Sequence, residues 1–285
     1  MTDMAVSPHA RRLTATEVAD YEETGYVKNL PVLDTDGIRE LQRGFSALLE
    51  KVPDTVDVYR INNWHKANRW FYELSQTAAI LDYVEDILGP DFGMWGGSIF
   101  LKYPQDGTVV PFHQDASYWP LEPRVNVTVW LAVFDTDADN GCMRIVPGSH
   151  RQGQLNHGQV PGTPDWNKMA PDERTKSKYV LWQQVDPESF TDDQVVDMDL
   201  KAGQMSLHDD ALIHGSGANG STDRIRAGIT FRYIPTEVVC DLSVWPNFEV
   251  YPCRGVDEHC HNPVGKVPTG NGYPTAFNQL SSEFE

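Results

Sequence analysis

No stretch of the 285 residues approaches the roughly 18 uninterrupted apolar residues that a membrane-spanning helix needs. A secretory leader is not expected either, because Arg11, Arg12, Glu17 and Asp20 break every apolar run near the start of the chain. Cysteine is scarce: Cys142, Cys240, Cys253 and Cys260 are the four present, too few to staple a chain of this length. A reducing compartment, the cytoplasm, is therefore the expectation. Positive charge is also short, with 23 Lys and Arg against 41 Asp and Glu and a net charge of −18. Such a surface repels phosphates, which argues against a nucleic-acid partner. What remains is ordinary: 40% hydrophobic and 22% charged residues describe a compact chain able to bury a core, not a coiled coil or a disordered segment.

Periodicity divides the chain. Asp34 or Asp36 can cap a helix whose Ile38, Leu41, Phe45, Leu48 and Leu49 form one apolar stripe. A second helix is expected from Gln76 to Leu88, with Ile80, Leu81, Val84, Ile87 and Leu88 inward and Gly89-Pro90 ending it. From about residue 92 the period changes to two. Val125, Val127, Val129, Leu131 and Val133 alternate with Asn126, Thr128, Trp130, Ala132 and Phe134, so both faces of that strand are largely buried. Further strands are expected at Ser98–Tyr103, Met143–Pro147, Val195–Leu200, Gln204–His208 and Arg226–Ile234, separated by turns such as Asp139-Asn140-Gly141. Many short strands with Gly-rich turns suggest an antiparallel sandwich or barrel, mainly β with flanking helices. The polar segment from Gly158 to Asp193 reads as a lid, a binding loop or a disordered stretch. No linker divides the chain, so residues 1–285 are expected to form a single domain.

Among nine histidines, His113-Gln114-Asp115 is the most informative. In an extended segment, residues two apart point to one side about 7 Å from each other, so one metal ion can touch both side chains. His214, 101 residues downstream, would complete a set of two imidazoles and one carboxylate that leaves coordination sites open on an iron(II) centre. A second His-x-Asp run, His208-Asp209-Asp210, competes, but its third ligand would have to be His259 or His261 in the irregular tail. His208 and His214 are not expected to share a metal, because six residues of continuous strand would put them about 20 Å apart. A zinc reading of Cys253, His259, Cys260 and His261 lacks paired spacing. After the Gly-rich run Gly215 to Ser221, Arg224 or Arg226 enters a strand, where a guanidinium could bind a dianionic cosubstrate through paired hydrogen bonds. On that strand Arg224, Arg226, Gly228, Thr230 and Arg232 share one face.

Over roughly Leu13 to Pro235 the chain resembles the phytanoyl-CoA dioxygenase family. The carrying segments are Leu13-Thr14-Ala15-Thr16-Glu17 with Gly25-Tyr26-Val27, Val110 to Asp115, Trp130, Asn140 to Met143, Pro147-Gly148-Ser149-His150, and His214 to Asn219. The resemblance implies a double-stranded β-helix, a cupin-like jelly roll, with residues 236–285 as a C-terminal extension. It implies that His113, Asp115 and His214 bind iron, that Arg226 binds the distal carboxylate of 2-oxoglutarate, and that Trp130 lies near this cosubstrate, though core packing explains Trp130 equally well. The distance from His214 to Arg226 is one residue longer than the family pattern, which leaves Arg224 as the alternative. The activity implied is an oxygenase consuming 2-oxoglutarate and O2, releasing succinate and CO2, and hydroxylating a C–H bond of a small molecule. Relatives that halogenate carry a small residue at the position of Asp115, so hydroxylation or a related oxidation, not halogenation, is the expectation.

For the substrate, Trp64, Trp70, Trp95, Tyr118 and Trp119 offer aromatic surface around the expected opening, with Tyr118 and Trp119 nearest the metal pair in sequence, although core packing explains most of them equally well. The overall pattern looks more like bacterial members that act on small metabolites, including aminoalkylphosphonate hydroxylases, than like an acyl-CoA oxidiser. A cupin-like isomerase or hydrolase using another metal, or a non-catalytic jelly-roll binding module, is the competing class.

Overall fold

The computed structural model describes residues 4–53, 56, 58, 61–163 and 179–274. Helix α1 (Ala15–Thr24) begins with a reciprocal cap between Thr14 and Glu17 and ends at Gly25, whose φ of 82° suits a residue without Cβ. Strand β1 (Tyr26–Pro31) follows. Asp34 then caps α2 (Thr35–Leu49) by accepting from the N–H groups of Asp36 and Gly37, both at 2.9 Å. Helices α3 (Arg69–Ser75) and α4 (Ala78–Leu88) complete the N-terminal layer, and Gly89 ends α4 as expected.

The β region contains β2 (Phe92–Lys102), β3 (Val110–His113), β4 (Leu121–Glu122), β5 (Val127–Ala132), β6 (Met143–Ile145), β7 (His157–Gln159) and β8 (Gln183–Val185). It continues with β9 (Val196–Met198), β10 (Gln204–Asp209), β11 (His214–Ser216), β12 (Arg226–Pro235), β13 (Val239–Cys240) and β14 (Tyr251–Arg254). One sheet has the order β1-β10-β5-β12-β2-β14 and faces a four-stranded sheet, β3-β11-β6-β9. This is the antiparallel jelly roll. Strand β5 shows why both of its faces are apolar. Val127, Val129 and Leu131 pack outward with Leu41, Phe45, Ile80 and Val84 of the helices, while Trp130 and Ala132 pack inward with Met143, Ile145, Met198 and Leu200 of the opposite sheet.

Strand β2 starts six residues before the expected Ser98. Its Gly93, Gly96 and Gly97 have little strand propensity, but the packing leaves no room for side chains. A Cβ at Gly97 would lie 2.6 Å from the Phe71 ring, and one at Gly93 would lie 2.4 Å from Val250. Residues after Thr236 join the fold: β13 pairs with β4, and β14 extends the six-stranded sheet beside β2. The described flanks of the long polar segment pair with each other as β7 and β8, and Tyr179 bridges to Val109 beside β3. Residues 164–178 of the expected lid lie outside the described residues. Among the described residues no helix is long and apolar enough to cross a membrane.

Candidate metal centre and cosubstrate pocket

Antiparallel pairing sets His113 of β3 directly opposite His214 of β11, and their ring centroids lie 4.2 Å apart. Asp115 does not continue the strand. It opens a short 3-10 turn, Asp115–Ser117, that folds its carboxylate back between the imidazoles. Its Oδ1 is 3.4 Å from His113 Nε2 and 3.9 Å from His214 Nε2. One ligand atom from each of the three residues lies within 4.8 Å of the others, and all three residues are buried. Backbone carbonyls orient both rings: His113 Nδ1 meets Pro111 O at 2.8 Å and His214 Nδ1 meets Leu212 O at 2.9 Å. With Nδ1 donating, each Nε2 presents a lone pair toward Asp115. Burial pushes His214 down to about 4, keeping it neutral and able to ligate. Burial by itself would raise the Asp115 carboxyl, but its polar surroundings, the Arg232 guanidinium among them, hold it below the usual carboxylate range. Two imidazoles and an ionised carboxylate suit a divalent metal with open positions.

A second polar group lies deeper in the barrel. Arg226 on β12 pairs in register with Lys102 on β2, and both side chains are buried. Arg226 donates to Ser216 Oγ at 2.9 Å, Gly141 O at 2.8 Å and Phe100 O at 3.2 Å. Lys102 donates to the same Ser216 hydroxyl at 2.7 Å and to the Gly217 carbonyl. Two basic side chains thus share one neutral acceptor, and among the described residues neither has a carboxylate hydrogen-bond partner. Like charges directly opposite on paired strands destabilise a sheet, and burial pushes the Lys102 ammonium down to about 6. An incoming carboxylate would relieve both strains. The Trp130 ring covers Arg226, with the guanidinium carbon 5.7 Å from its centroid. Gly228 gives the indole its space, since a Cβ there would fall 2.0 Å from Trp130 Cζ2. Arg224 turns outward into a two-pronged ion pair with Asp137, at 2.6 and 2.8 Å.

The model of the phytanoyl-CoA dioxygenase family matches residues 21–228. The chain belongs to the phytanoyl-CoA dioxygenase family. Mouse (Mus musculus) peroxisomal phytanoyl-CoA dioxygenase is 30% identical over 80% of this chain and 70% of its own length. Among solved structures, the non-heme monooxygenase ThoJ in its apo form is 25% identical, covers 89% of each chain and superposes with a TM-score of 0.71. CytC3 with Fe(II) and alpha-ketoglutarate shares the fold at 18% identity and a TM-score of 0.63, over 92% of this chain and 97% of its own. At this general level the family and its structural neighbours are iron- and 2-oxoglutarate-dependent oxygenases.

Several sequence expectations change inside this member of the phytanoyl-CoA dioxygenase family. His208 is not distant from His214. The chain turns at Asp209–Ile213, so the two rings lie 5.0 Å apart. The 20 Å expectation assumed a continuous strand. His208 is buried, and burial pushes it down to about 3. Trp64 and Trp70 do not line the opening: Trp64 stacks on Phe71 in the helix-side core, and Trp70 packs over Gly44 of α2. Tyr118 does approach the centre, 6.2 Å from the His113 ring, and Trp119 packs against Trp95 at 4.8 Å. Among the described residues the only cluster with metal-ligand geometry is His113, Asp115 and His214, so Cys253, His259, Cys260 and His261 do not gather into a second one. Lys102 and Arg232 join the site without any motif that marks them, and Ser216 joins it from within the His214 to Asn219 segment. For Arg232 the sequence signal is the alternation that puts it on the face of Arg226.

Proposed function

We propose that this protein is an iron(II)- and 2-oxoglutarate-dependent dioxygenase that hydroxylates a C–H bond of a small molecule, with His113, Asp115 and His214 holding the metal. The observation that carries this reading is the juxtaposition of a three-ligand centre with two buried basic side chains, Arg226 and Lys102, that have only neutral acceptors. A cupin-like isomerase or hydrolase would need the first and not the second. Arg226 binds the distal carboxylate of 2-oxoglutarate, Lys102 and Ser216 complete its cradle, and the Trp130 ring walls it. Bound iron with this keto acid supplies oxidation by O2, coupled to release of succinate and CO2.

The residues of the chain do the positioning. Carbonyls of Pro111 and Leu212 keep both imidazoles in the ligating tautomer. Asp115 presents one oxygen to the imidazoles and occupies the third protein position, which favours hydroxylation over halide transfer. The apolar inner wall of Trp130, Met143, Ile145 and Leu212 limits water around the reacting centre. The test is anaerobic titration of the Fe(II) protein with 2-oxoglutarate. A weak visible charge-transfer band is expected, and it should vanish in Asp115→Ala. Metal binding without any band, or succinate release unchanged in Asp115→Ala, overturns the reading.

A further inference from the structure

Arg232 lies on the inner face of β12, six residues beyond Arg226, and its Nε is 4.0 Å from Asp115 Oδ2. That distance is too long for a hydrogen bond, and Nε has no hydrogen-bond partner although it is buried. Nη1 is held by Ser98 Oγ at 3.1 Å, and Ser98 in turn donates to Asn62 at 2.8 Å. Trp95 and Trp119 approach the guanidinium carbon at 5.9 and 5.2 Å from their ring centroids. Pinned on one side and backed by aromatic rings, the guanidinium has its edge left for hydrogen bonding. Arg232 and Asp115 each keep 12% side-chain exposure.

The local charge balance points the same way. The other cation nearby, Lys66, is paired with Glu249 at 2.8 Å, whereas Asp115 is the sole carboxylate beside Arg232 among the described residues, and the metal centre claims its charge. With a divalent metal and a dianionic keto acid in place, Asp115, Arg226 and Arg232 leave at least one positive charge uncompensated. Leaving a buried charge unpaired is costly. The chain is acidic overall, at −18, yet it concentrates arginine inside this barrel.

We propose that Arg232 is the substrate anchor, and that the substrate is a small oxyanion, a carboxylate or phosphonate, whose acid group binds the free guanidinium edge and brings a neighbouring C–H to the metal centre. This deepens the dioxygenase reading and rests on it. Trp95, Trp119 and Tyr118 then form the wall against which the carbon skeleton packs. Trp245 and Phe248, which pack on Trp95 at 5.6 and 5.7 Å, give the segment after Thr236 a role in holding that wall.

The experiment loads the wild-type protein anaerobically with Fe(II) and 2-oxoglutarate and follows the charge-transfer band. Short carboxylic acids, the matching alkylphosphonates and the matching primary amides are then added. Acids should shift the band at concentrations at least about tenfold below the amides, as expected when a charge-assisted paired contact is available. The carboxylate and phosphonate arms identify which oxyanion fits. Arg232→Gln should abolish the preference for acids, and Arg232→Lys should restore part of it. Equal response to acids and amides overturns the anchor, as does an Arg232→Gln protein that keeps the preference while binding metal more weakly, since that would make Arg232 a positioning residue for Asp115. If no band forms with 2-oxoglutarate at all, the dioxygenase reading fails instead. The comparison of acids with amides uses the wild-type protein alone, so it decides the question even where a substitution misfolds.

Discussion

Asp115 turns its two oxygens to different neighbours, Oδ1 to the imidazoles and Oδ2 to Arg232, while Arg226 and Arg224 divide buried from exposed. At this scale the consequences are separable. Arg226→Ala removes charge-assisted bonds in a dry pocket, which are worth about 1.5–3 kcal/mol each, so the apparent affinity for 2-oxoglutarate should fall by roughly 30-fold or more. Arg224→Ala removes a partly exposed pair with Asp137, worth about 0–1 kcal/mol, and should leave that affinity unchanged. Titrating 2-oxoglutarate against each variant decides which arginine binds it. The sequence offered both residues because they are two apart on one strand. Only the turn around Asn219, whose side chain donates to Arg224 O at 2.7 Å and Lys102 O at 3.2 Å, sends one inward and the other out.

Elements bring the ligands together. The pairing of β3 with β11 places His113 and His214 side by side, and Gly215 permits it. A Cβ at Gly215 would lie 2.9 Å from Val110 O and 3.0 Å from Phe112 N, both backbone atoms that cannot step aside. Gly215→Ala should therefore pry the strands apart, costing about 1–3 kcal/mol of stability. It should also weaken Co(II) binding at least about tenfold, in the range that disturbed ligand support produces. Gly158→Ala, whose Cβ meets nothing within 4 Å, is the control and should bind Co(II) as the wild type does; equal affinity in both variants contradicts the argument. The strands themselves were legible where residues alternate, as in β5 and β12. Strand β2 was legible only from Ser98 onward, because its earlier glycines answer to Phe71, Arg232 and Val250 in three dimensions rather than to strand propensity.

Over the whole molecule, burial of ionisable groups makes stability depend on pH. Burial, with Asp209 and Asp115 nearby, pushes the Asp210 carboxyl up to about 8. An unfolded aspartate titrates near 3.9, so this group's contribution is complete below about pH 4 and is lost as pH rises through 8. Lys102, depressed to about 6 by burial, adds stability in the opposite sense as pH rises above 6. The difference between Asp210→Asn and wild type isolates the first effect. The variant should melt near the wild-type temperature at pH 5 and several degrees higher at pH 9, at about 2–4 °C per kcal/mol for a chain of this size. Thermal melts across pH check it, and a pH-independent difference would contradict the assignment.

Local sequence determined the helix caps at Thr14 and Asp34, the period-two strands, the His113-Gln114-Asp115 pair and the distant His214, because these depend on short-range chemistry and on spacing along a strand. Tertiary structure alone decided that His208 returns beside His214, that Lys102 faces Arg226 across two strands, and that Arg232 reaches Asp115. Those contacts join residues from 6 to more than 100 positions apart. Strand register and chain reversal fix them, and a linear pattern encodes neither.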